Sequence, residues 1–234
     1  MEDTEHKSLA PVLWMSVVVM LVTPFFAPNL LGRVATTAAV GGTAVVALRR
    51  SGARRSVRLA GEAIVVGLTL MAAASREFES APATLEIAGT ALLAILLLVT
   101  PSVVVFRLAQ RPKVTLDTVA GALAAYIQIG LFFATLYRLD GLVESTPFFT
   151  GTADPTMMDF QFFSFVTLTT LGYGDLVPAT DVGQSMAMFE AVLGQVFLVT
   201  VVALAVGNLG AQVRPRGDGA HARAGSDDRG GAPT

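Results

Sequence analysis

The sequence predicts an all-α membrane protein in which six helices cross the bilayer and a seventh, short helix enters it without crossing. Of its 234 residues, 53% are apolar and only 15% are charged, and the mean hydropathy is +0.63. These values are unlike those of a soluble globular domain. Charged residues and histidine are also absent from four stretches of 20 to 25 residues. Because a helix needs about 20 apolar residues to cross the hydrocarbon core, each stretch is long enough to span the membrane.

Two of the six predicted spans are weaker than the four that these stretches define. In the span 33–48, only residues 34–48 lie between Arg33 and Arg49, so the helix must begin near Leu30 or let the flanking arginine side chains reach the headgroups. Residues 57–74 contain Glu62, which stands one helical turn after Arg58 and can pair with it. In chain order, the predicted spans are residues 10–31, 33–48, 57–74, 85–106, 115–138 and 184–209.

The distribution of Lys and Arg predicts that both termini are cytoplasmic. Basic residues concentrate in the cytoplasmic loops of membrane proteins, and six spans place thirteen of the sixteen Lys and Arg residues on one side. Residues 1–9 then form a cytoplasmic N-terminus. Residues 211–234, which are rich in Gly, Ala, Arg and Asp, form a disordered cytoplasmic tail. The first helix is expected to remain as an uncleaved anchor, because its leader is mostly acidic.

The loop between the fifth and sixth spans begins apolar and ends in a Gly-Tyr-Gly-Asp run, residues 172–175. Pro155 suits the first position of a helix capped by Asp154, and the apolar residues up to Thr169 reach about halfway through the membrane. The two glycines then prevent a helical return. Non-helical backbone at membrane depth is tolerated where it lines a watery path, so we expect the function to reside here. The alternative is a polar turn between two helices, which explains neither the half-length helix nor the run of threonines.

This loop resembles the pore loop of tetrameric potassium channels, whose selectivity filter is a Thr-Val-Gly-Tyr-Gly stretch. The residues that match the family's positions are Thr167, Thr169, Thr170, Gly172, Tyr173, Gly174 and Asp175. The resemblance implies a filter made of Thr170, Leu171, Gly172, Tyr173 and Gly174, with K⁺ bound by the first four carbonyls and the threonine hydroxyl. Carbonyls that all point to one axis require backbone dihedrals of alternating sign, which glycine permits. One chain supplies a quarter of such a site, so the resemblance implies four chains around a central pore.

The sequence departs from the family at two places near the filter. Leu171 replaces the commoner valine, and Phe162 and Phe163 replace a pair of tryptophans that often supports the filter. Phenylalanine lacks the indole N–H, so the filter is expected to be less rigid than in close relatives, with selectivity kept and inactivation altered. The predicted supporting residues are Thr167, Thr169, Asp175, Phe162 and Phe163.

In the sixth span, Gly194 follows Gly172 by 22 residues, where the resembled channels carry a hinge glycine in the pore-lining helix. A glycine that allows two helices to pack closely is the alternative. One face of this helix carries residues that, by resemblance, line the cavity and the inner gate, although the same stripe could pack against another helix. These residues are Gln195, Leu198, Val202 and Val206.

The resemblance assigns residues 111–210 to a pore domain and leaves residues 10–110 as a four-helix domain similar in layout to a voltage sensor. Voltage-gated channels carry arginines at every third position of the fourth span, whereas residues 87–106 contain no ionisable side chain. Steep voltage dependence needs ~3 to 4 moving charges per subunit, so no conventional voltage gating is expected. The arginines within residues 49–58 are expected to form a solvated loop within reach of anionic lipid headgroups.

Four acidic residues near the predicted ends of spans, Glu62, Glu86, Asp117 and Glu190, are functional candidates by position. Each could instead be interfacial or paired. Glu190 ranks first because it lies behind the filter on the pore-lining helix, where a pair with Arg138 is conceivable. His6, in the polar leader, is expected to be neither a ligand nor a sensor.

The sequence therefore predicts a homotetrameric, potassium-selective ion channel in the cell (plasma) membrane. We expect no enzyme activity, no cofactor apart from K⁺ as the permeant ion, and no nucleic-acid partner. The absence of Cys excludes disulfides and Cys-ligated metal sites. A poorly selective cation channel is the main alternative. A subunit of a cation transporter is another, but such proteins carry four filter-like loops in one chain, usually with one glycine each, whereas this chain has one loop with two.

Overall fold

The computed structural model describes residues 8–22, 30–74, 83–109 and 115–213. Within these ranges the regular structure is helical, apart from two isolated β-bridges in loops. The helices are α1 (Ala10–Val22), α2 (Leu30–Arg50), α3 (Arg55–Ala74), α4 (Ala83–Ala109), α5 (Leu116–Val143), α6 (Met157–Leu168) and α7 (Asp181–Val213). The prediction of an all-α chain is confirmed for this part of the sequence.

Three helices in the described residues are long and apolar enough to cross a membrane. They are Ala83–Phe106 in α4, Leu116–Val143 in α5 and Asp181–Val201 in α7. α2 and α3, with 21 and 20 residues, have sufficient length but a more polar composition, and α1 and α6 are shorter. The fold is that of an integral membrane protein, while six spans remain a prediction.

The first predicted span is described only in part. The sequence predicts a span over residues 10–31, of which the structure describes α1 (Ala10–Val22) and the first residues of α2 from Leu30 onward. Residues 23–29 of this span lie outside the described part. The 13 residues of α1 extend only about 20 Å, whereas α2 starts early enough to reach a spanning length.

The C-terminal boundary also differs, because α7 continues to Val213 and residues 211–213 are helical rather than part of a disordered tail. Its 33 residues extend about 50 Å, more than the hydrocarbon core requires. The predicted tail beyond residue 213, and the N-terminal residues up to 7 with His6, lie outside the described residues.

α5 is central to the described bundle and contacts α1, α4, α6 and α7. α1 runs parallel to it: Leu9 lies beside Gly121 at one end, and Val19 packs with Leu131 at the other. This is the relative direction expected for the first and fifth spans of a six-span chain. Between these ends, the contact is filled by Val12, Ala124 and Ala125.

Ion pairs join neighbouring helices near their ends. Arg138 Nη2, near the end of α5, lies 2.7 Å from Glu86 Oε1 at the start of α4. On α3, Glu62 Oε1 lies 2.9 Å from Arg49 Nε and 3.8 Å from Arg58 Nε. The predicted pair one turn apart therefore forms, and a shorter pair between α2 and α3 accompanies it.

Asp117, in the first turn of α5, holds the beginning of α1. Its Oδ1 accepts hydrogen bonds from the Ser8 hydroxyl at 2.8 Å and from the Leu9 N–H at 2.5 Å. The first N–H groups of a helix have no partner within the helix, so this carboxylate supplies one from a neighbouring element. Arg50 Nη1 donates to the Ser8 carbonyl at 2.6 Å. Three of the four acidic candidates, those at 62, 86 and 117, thus connect helices.

Candidate functional site

The site is built on α6, whose start is fixed by a capping box. Thr156 is the N-cap: its hydroxyl accepts from the Asp159 N–H, while the Asp159 carboxylate accepts from the Thr156 N–H at 2.7 Å. The sequence predicts a cap at Asp154 and a first helical residue at Pro155, so the observed helix starts two residues later than predicted. Reciprocal capping satisfies two N–H groups at once, which the earlier start would not do.

The chain leaves α6 in a tight turn whose N–H groups point back to the helix. Thr170 donates to the Thr167 carbonyl at 2.9 Å. Leu171 and Gly172 both donate to the Val166 carbonyl, at 2.9 and 3.3 Å. These bonds close the C-terminal end of α6 and orient the N–H groups of residues 170–172 toward the helix.

Beyond this turn the backbone alternates between left-handed and ordinary conformations. Positive φ angles occur at Thr170 (58°), Gly172 (57°) and Gly174 (77°), and at neither of the residues between them. Glycine adopts positive φ without penalty, whereas threonine pays a cost there. The Thr170 N–H bond to α6 helps to hold this conformation. The sign of φ is thus reversed at every second residue. This alternation is what a segment needs if its successive carbonyl groups are to point to the same side.

The two phenylalanines expected to support this segment face different directions. The Phe162 ring stacks on the Tyr173 ring, with centroids 6.0 Å apart and an interplanar angle of 2°. Phe163 is buried and contacts Tyr137 edge-on, with centroids 5.1 Å apart. Only the first therefore touches the glycine-containing segment, and the second anchors α6 to α5.

The other expected supporting residues make local bonds. The Thr169 hydroxyl donates to the Phe165 carbonyl at 2.7 Å, and the Thr167 carbonyl accepts from Thr170. Asp175 Oδ1 accepts the N–H of Leu176 at 3.0 Å. In the described residues no cluster of three His, Cys, Asp or Glu could hold a metal ion.

An aromatic cluster that the sequence analysis missed ties the segment to the loop before α6. Phe148 and Phe149 are buried against Phe160, Phe163 and Tyr137. Two backbone hydrogen bonds join the same loop to the residues after the glycine-containing segment. The Ala179 N–H donates to the Phe148 carbonyl at 2.8 Å, and the Thr150 N–H donates to the Val177 carbonyl at 2.9 Å. The pair of phenylalanines inside a loop was the available signal, because exposed loops seldom carry adjacent large apolar residues.

Gly194 of α7 lies against the C-terminal end of α6. A side chain added there would collide with the carbonyl oxygen of Leu168, the last residue of α6. This contact matches the close-packing role that the sequence left open beside the hinge role. Of the predicted cavity residues, Gln195 and Leu198 are exposed on this chain, whereas the side chain of Val202 and that of Val206 lie outside the described part.

Glu190 lies one helical turn before Gly194 and is fully buried. Its carboxyl group contacts the Tyr137 hydroxyl at 2.5 Å and the Ser164 hydroxyl at 2.6 Å. The conceivable pair with Arg138 does not form, because Arg138 binds Glu86 instead. The carboxyl group therefore joins α5, α6 and α7 through hydroxyl partners that the sequence did not suggest.

The comparison with protein families agrees with this arrangement. Residues 121–209 match a family described as "Ion channel". The matched segment begins in α5, includes all of α6 and the glycine-containing segment, and ends in α7. No curated protein and no solved structure matches the chain. The ion-channel domain supports ion-channel activity and an integral membrane location.

Proposed function

We propose that this protein is a potassium-selective ion channel made of four identical chains, without a conventional voltage sensor. The observation that carries the proposal is the alternation of positive φ at Thr170, Gly172 and Gly174. Such a backbone directs successive carbonyls to one side, where four chains would surround a dehydrated K⁺ with oxygens. The ion sites would be the carbonyls of Thr170, Leu171, Gly172 and Tyr173, with the Thr170 hydroxyl.

The hydrogen bonds beneath this segment support the same assignment. Because Leu171 and Gly172 donate their N–H groups to Val166 in α6, those groups are withdrawn from the side that would face the ion. α6 also directs its C-terminal end, which carries partial negative charge, to the end of the proposed filter nearest Thr170. A cation in a cavity at that end would be stabilised.

The exposed surface of α7 supports an assembly of several chains in the membrane. Its described part is apolar, yet only 17% of the spanning window is buried within one chain. A continuous apolar surface of this kind is covered either by neighbouring subunits or by lipid. Exposed members include Met188, Phe189, Val192, Val196 and Val199. Four-fold closure would place Gln195, Leu198, Val202 and Val206 near the central cavity and Gly194 beside it.

The remaining parts of the proposal follow the distribution of charge. Both termini would be cytoplasmic, in the plasma membrane, and the loop within residues 49–58 would face anionic lipid headgroups. The structure pairs Arg49 with Glu62, and Arg54 and Arg55 are exposed, so the loop retains positive charge for such contacts.

The test is ion flux through purified protein in liposomes under opposed K⁺ and Na⁺ gradients. Gly172→Ala should abolish K⁺ flux, because a methyl group penalises the left-handed conformation and crowds the ion path. Gly151→Ala is the matched control: its φ is +79°, nothing lies within 4 Å of the added carbon, and it stands outside the proposed filter. This variant should keep both flux and selectivity.

The outcomes separate the candidate functions. A wild-type reversal potential close to that of K⁺ supports the proposal, whereas one between those of K⁺ and Na⁺ indicates a poorly selective cation channel. Unchanged, selective flux in Gly172→Ala would contradict the filter assignment. A transporter subunit would show saturable, coupled flux rather than a reversal potential set by the ion gradients.

A further inference from the structure

The buried carboxyl group of Glu190 has no cationic partner in the described part of the chain. The ion pairs there involve other acids, and Glu190 is 0% exposed between α5, α6 and α7. A charged carboxylate in such a place is costly unless it is paired. Its protonation state can therefore be inferred from its hydrogen bonds with the two neighbouring hydroxyl groups, those of Tyr137 and Ser164.

The number of hydrogens available in this cluster shows whether the Glu190 carboxyl group is protonated. The Ser164 hydroxyl oxygen lies 2.7 Å from the Gly130 carbonyl oxygen and 2.6 Å from Glu190 Oε1. A hydroxyl carries one hydrogen, and a carbonyl oxygen can only accept. The Ser164 hydrogen is thus used on Gly130, and the contact with Oε1 needs a hydrogen from the carboxyl group. Tyr137 supplies the hydrogen for the other oxygen, Oε2.

We propose that Glu190 bears a proton and that, in this neutral form, it is a positioning residue that holds α6 in place beneath the filter. The inference rests on the proposed function for its effect on ion flow, because α6 carries the filter only if the protein is a channel. Neutral Glu190 donates to Ser164 on α6 and accepts from Tyr137 on α5. One side chain thereby fixes the spacing of three helices.

Few contacts separate Glu190 from the start of the proposed filter. Ser164 stands one turn before Leu168, and Glu190 stands one turn before Gly194, so the two helices touch at matching positions. The Leu168 carbonyl also accepts from the Tyr126 hydroxyl at 3.0 Å. The filter segment starts directly after Leu168, and a shift of α6 against α7 would move it.

Loss of the proton would remove the bond to Ser164 and leave two acceptors competing for its one hydrogen. It would also bury a negative charge that has no cationic partner in the described residues and only hydroxyl donors to stabilise it. The stabilisation is present while Glu190 is protonated and is lost as the pH rises through its titration. Of the other ionisable groups on α5 and α6, which pack against α7, Tyr126 interacts electrostatically with Glu190 while its hydroxyl donates to the Leu168 carbonyl. The remaining groups have different neighbours: Asp117 binds Ser8 and Leu9, Arg138 pairs with Glu86, Asp140 lies near Glu144, and Asp159 bonds Thr156.

Glu190→Gln tests the proposal, because an amide can donate to Ser164 and accept from Tyr137 as the neutral acid does but cannot ionise. Glu86→Gln is the control, since Glu86 is a partly exposed acid paired with Arg138. The infrared carbonyl band of a protonated carboxylic acid, identified by its shift in D₂O, should be present in wild type and Glu86→Gln and absent in Glu190→Gln. With rising pH, the apparent Tm and the K⁺ flux should fall in wild type and Glu86→Gln and stay constant in Glu190→Gln.

Two results would overturn the proposal. One is the absence of a Glu190-dependent carboxylic acid band, which would show a charged group. The other is an apparent Tm that falls with pH in Glu190→Gln as steeply as in wild type, which would show that Glu190 does not control the packing. If no variant conducts, the channel function itself fails, and the band and the Tm profile still decide the state and the role of Glu190.

Discussion

At the scale of single residues, Phe162 contacts Tyr173 by ring stacking, at a position where the resembled channels often have a tryptophan with an indole N–H donor. The rings are parallel within 2° and their centroids lie 6.0 Å apart. Offset aromatic pairs contribute about 0.5–1.5 kcal/mol beyond the area they bury. No described hydrogen bond joins Phe162 to the filter segment, so the stack is the contact by which this side chain can steady Tyr173.

Phe162→Leu should therefore weaken the proposed filter without unfolding the protein. Loss of a stack worth about 0.5–1.5 kcal/mol corresponds to a change of roughly 2- to 12-fold in the equilibrium that favours the conducting filter. The expected result is faster loss of K⁺ current at constant voltage, with an unchanged apparent Tm. Phe162→Tyr keeps a ring and should behave as wild type.

Phe163→Leu provides the contrast, because this ring is buried against Tyr137. It should lower the apparent Tm and leave the rate of current loss in the folded fraction unchanged. Equal effects of the two substitutions on both readouts would show that the stack has no separate role.

The sequence predicted the local backbone of this segment because its cause is local. Glycine permits the positive φ angles at positions 172 and 174, and Thr170 is held at its positive φ by a hydrogen bond to Thr167, three residues earlier. The directions of Phe162 and Phe163 were not foreseen, since they depend on which side of α6 meets α5. Helical spacing offered a partial signal: Phe160 and Phe163 are three residues apart, share a face and are both buried.

At the scale of helices, α6 and α7 are held by two contacts one turn apart. The first is the bond between Ser164 and Glu190, and the second is the close approach of Gly194 to Leu168. Glycine at the second contact lets the α7 backbone reach the end of α6. A hinge role for Gly194 would require the helix to bend there, whereas a packing role requires it to stay in contact.

Gly194→Ala distinguishes these two roles. The added methyl group would meet the Leu168 carbonyl oxygen, and overpacking of this kind typically costs about 1–3 kcal/mol. We expect a lower apparent Tm and a loss of K⁺ flux. Gly67→Ala in α3 is the control, because nothing lies within 4 Å of the added carbon, and there alanine should be neutral or stabilising by about 0.5–1 kcal/mol. An unchanged Tm with altered gating in Gly194→Ala would favour the hinge.

Helix existence was predictable from charge-free stretches, but helix ends were not. The fifth span is predicted to end at Arg138, yet α5 continues to Val143. Arginine is a good helix former, so the helix passes through Arg138, which pairs with Glu86 at the start of α4. That pairing joins residues far apart in sequence, so no local pattern could indicate it.

At the scale of the whole molecule, several charged side chains near the ends of the described helices contact a neighbouring part of the chain. Glu62 pairs with Arg49 and Arg58, Asp117 binds the start of α1, and Arg50 binds the Ser8 carbonyl. The charge-free interior of α4, residues 87–106, packs against α2 and α5. The four-helix part thus resembles a scaffold for α5 more than a device that moves charge.

This arrangement predicts weak voltage dependence. Each elementary charge that crosses the full field changes the gating energy by ~2.3 kcal/mol per 100 mV. With no charge in the interior of α4, voltage cannot act on that helix. Conductance measured against voltage in symmetric K⁺ should show a shallow slope, and the double variant Arg55→Gln with Arg58→Gln should leave this slope unchanged.

The arginines within residues 49–58 are the strongest challenge to this prediction, since they are the densest positive charge in the chain. Arg55 is exposed at the start of α3, and Arg58 lies 3.8 Å from Glu62 at an exposed helix end. For either to sense voltage, α3 would have to slide into the field, separating the Arg49–Glu62 pair. A slope equivalent to several charges that disappears in the double variant would establish such a movement, because both substitutions remove charge from α3.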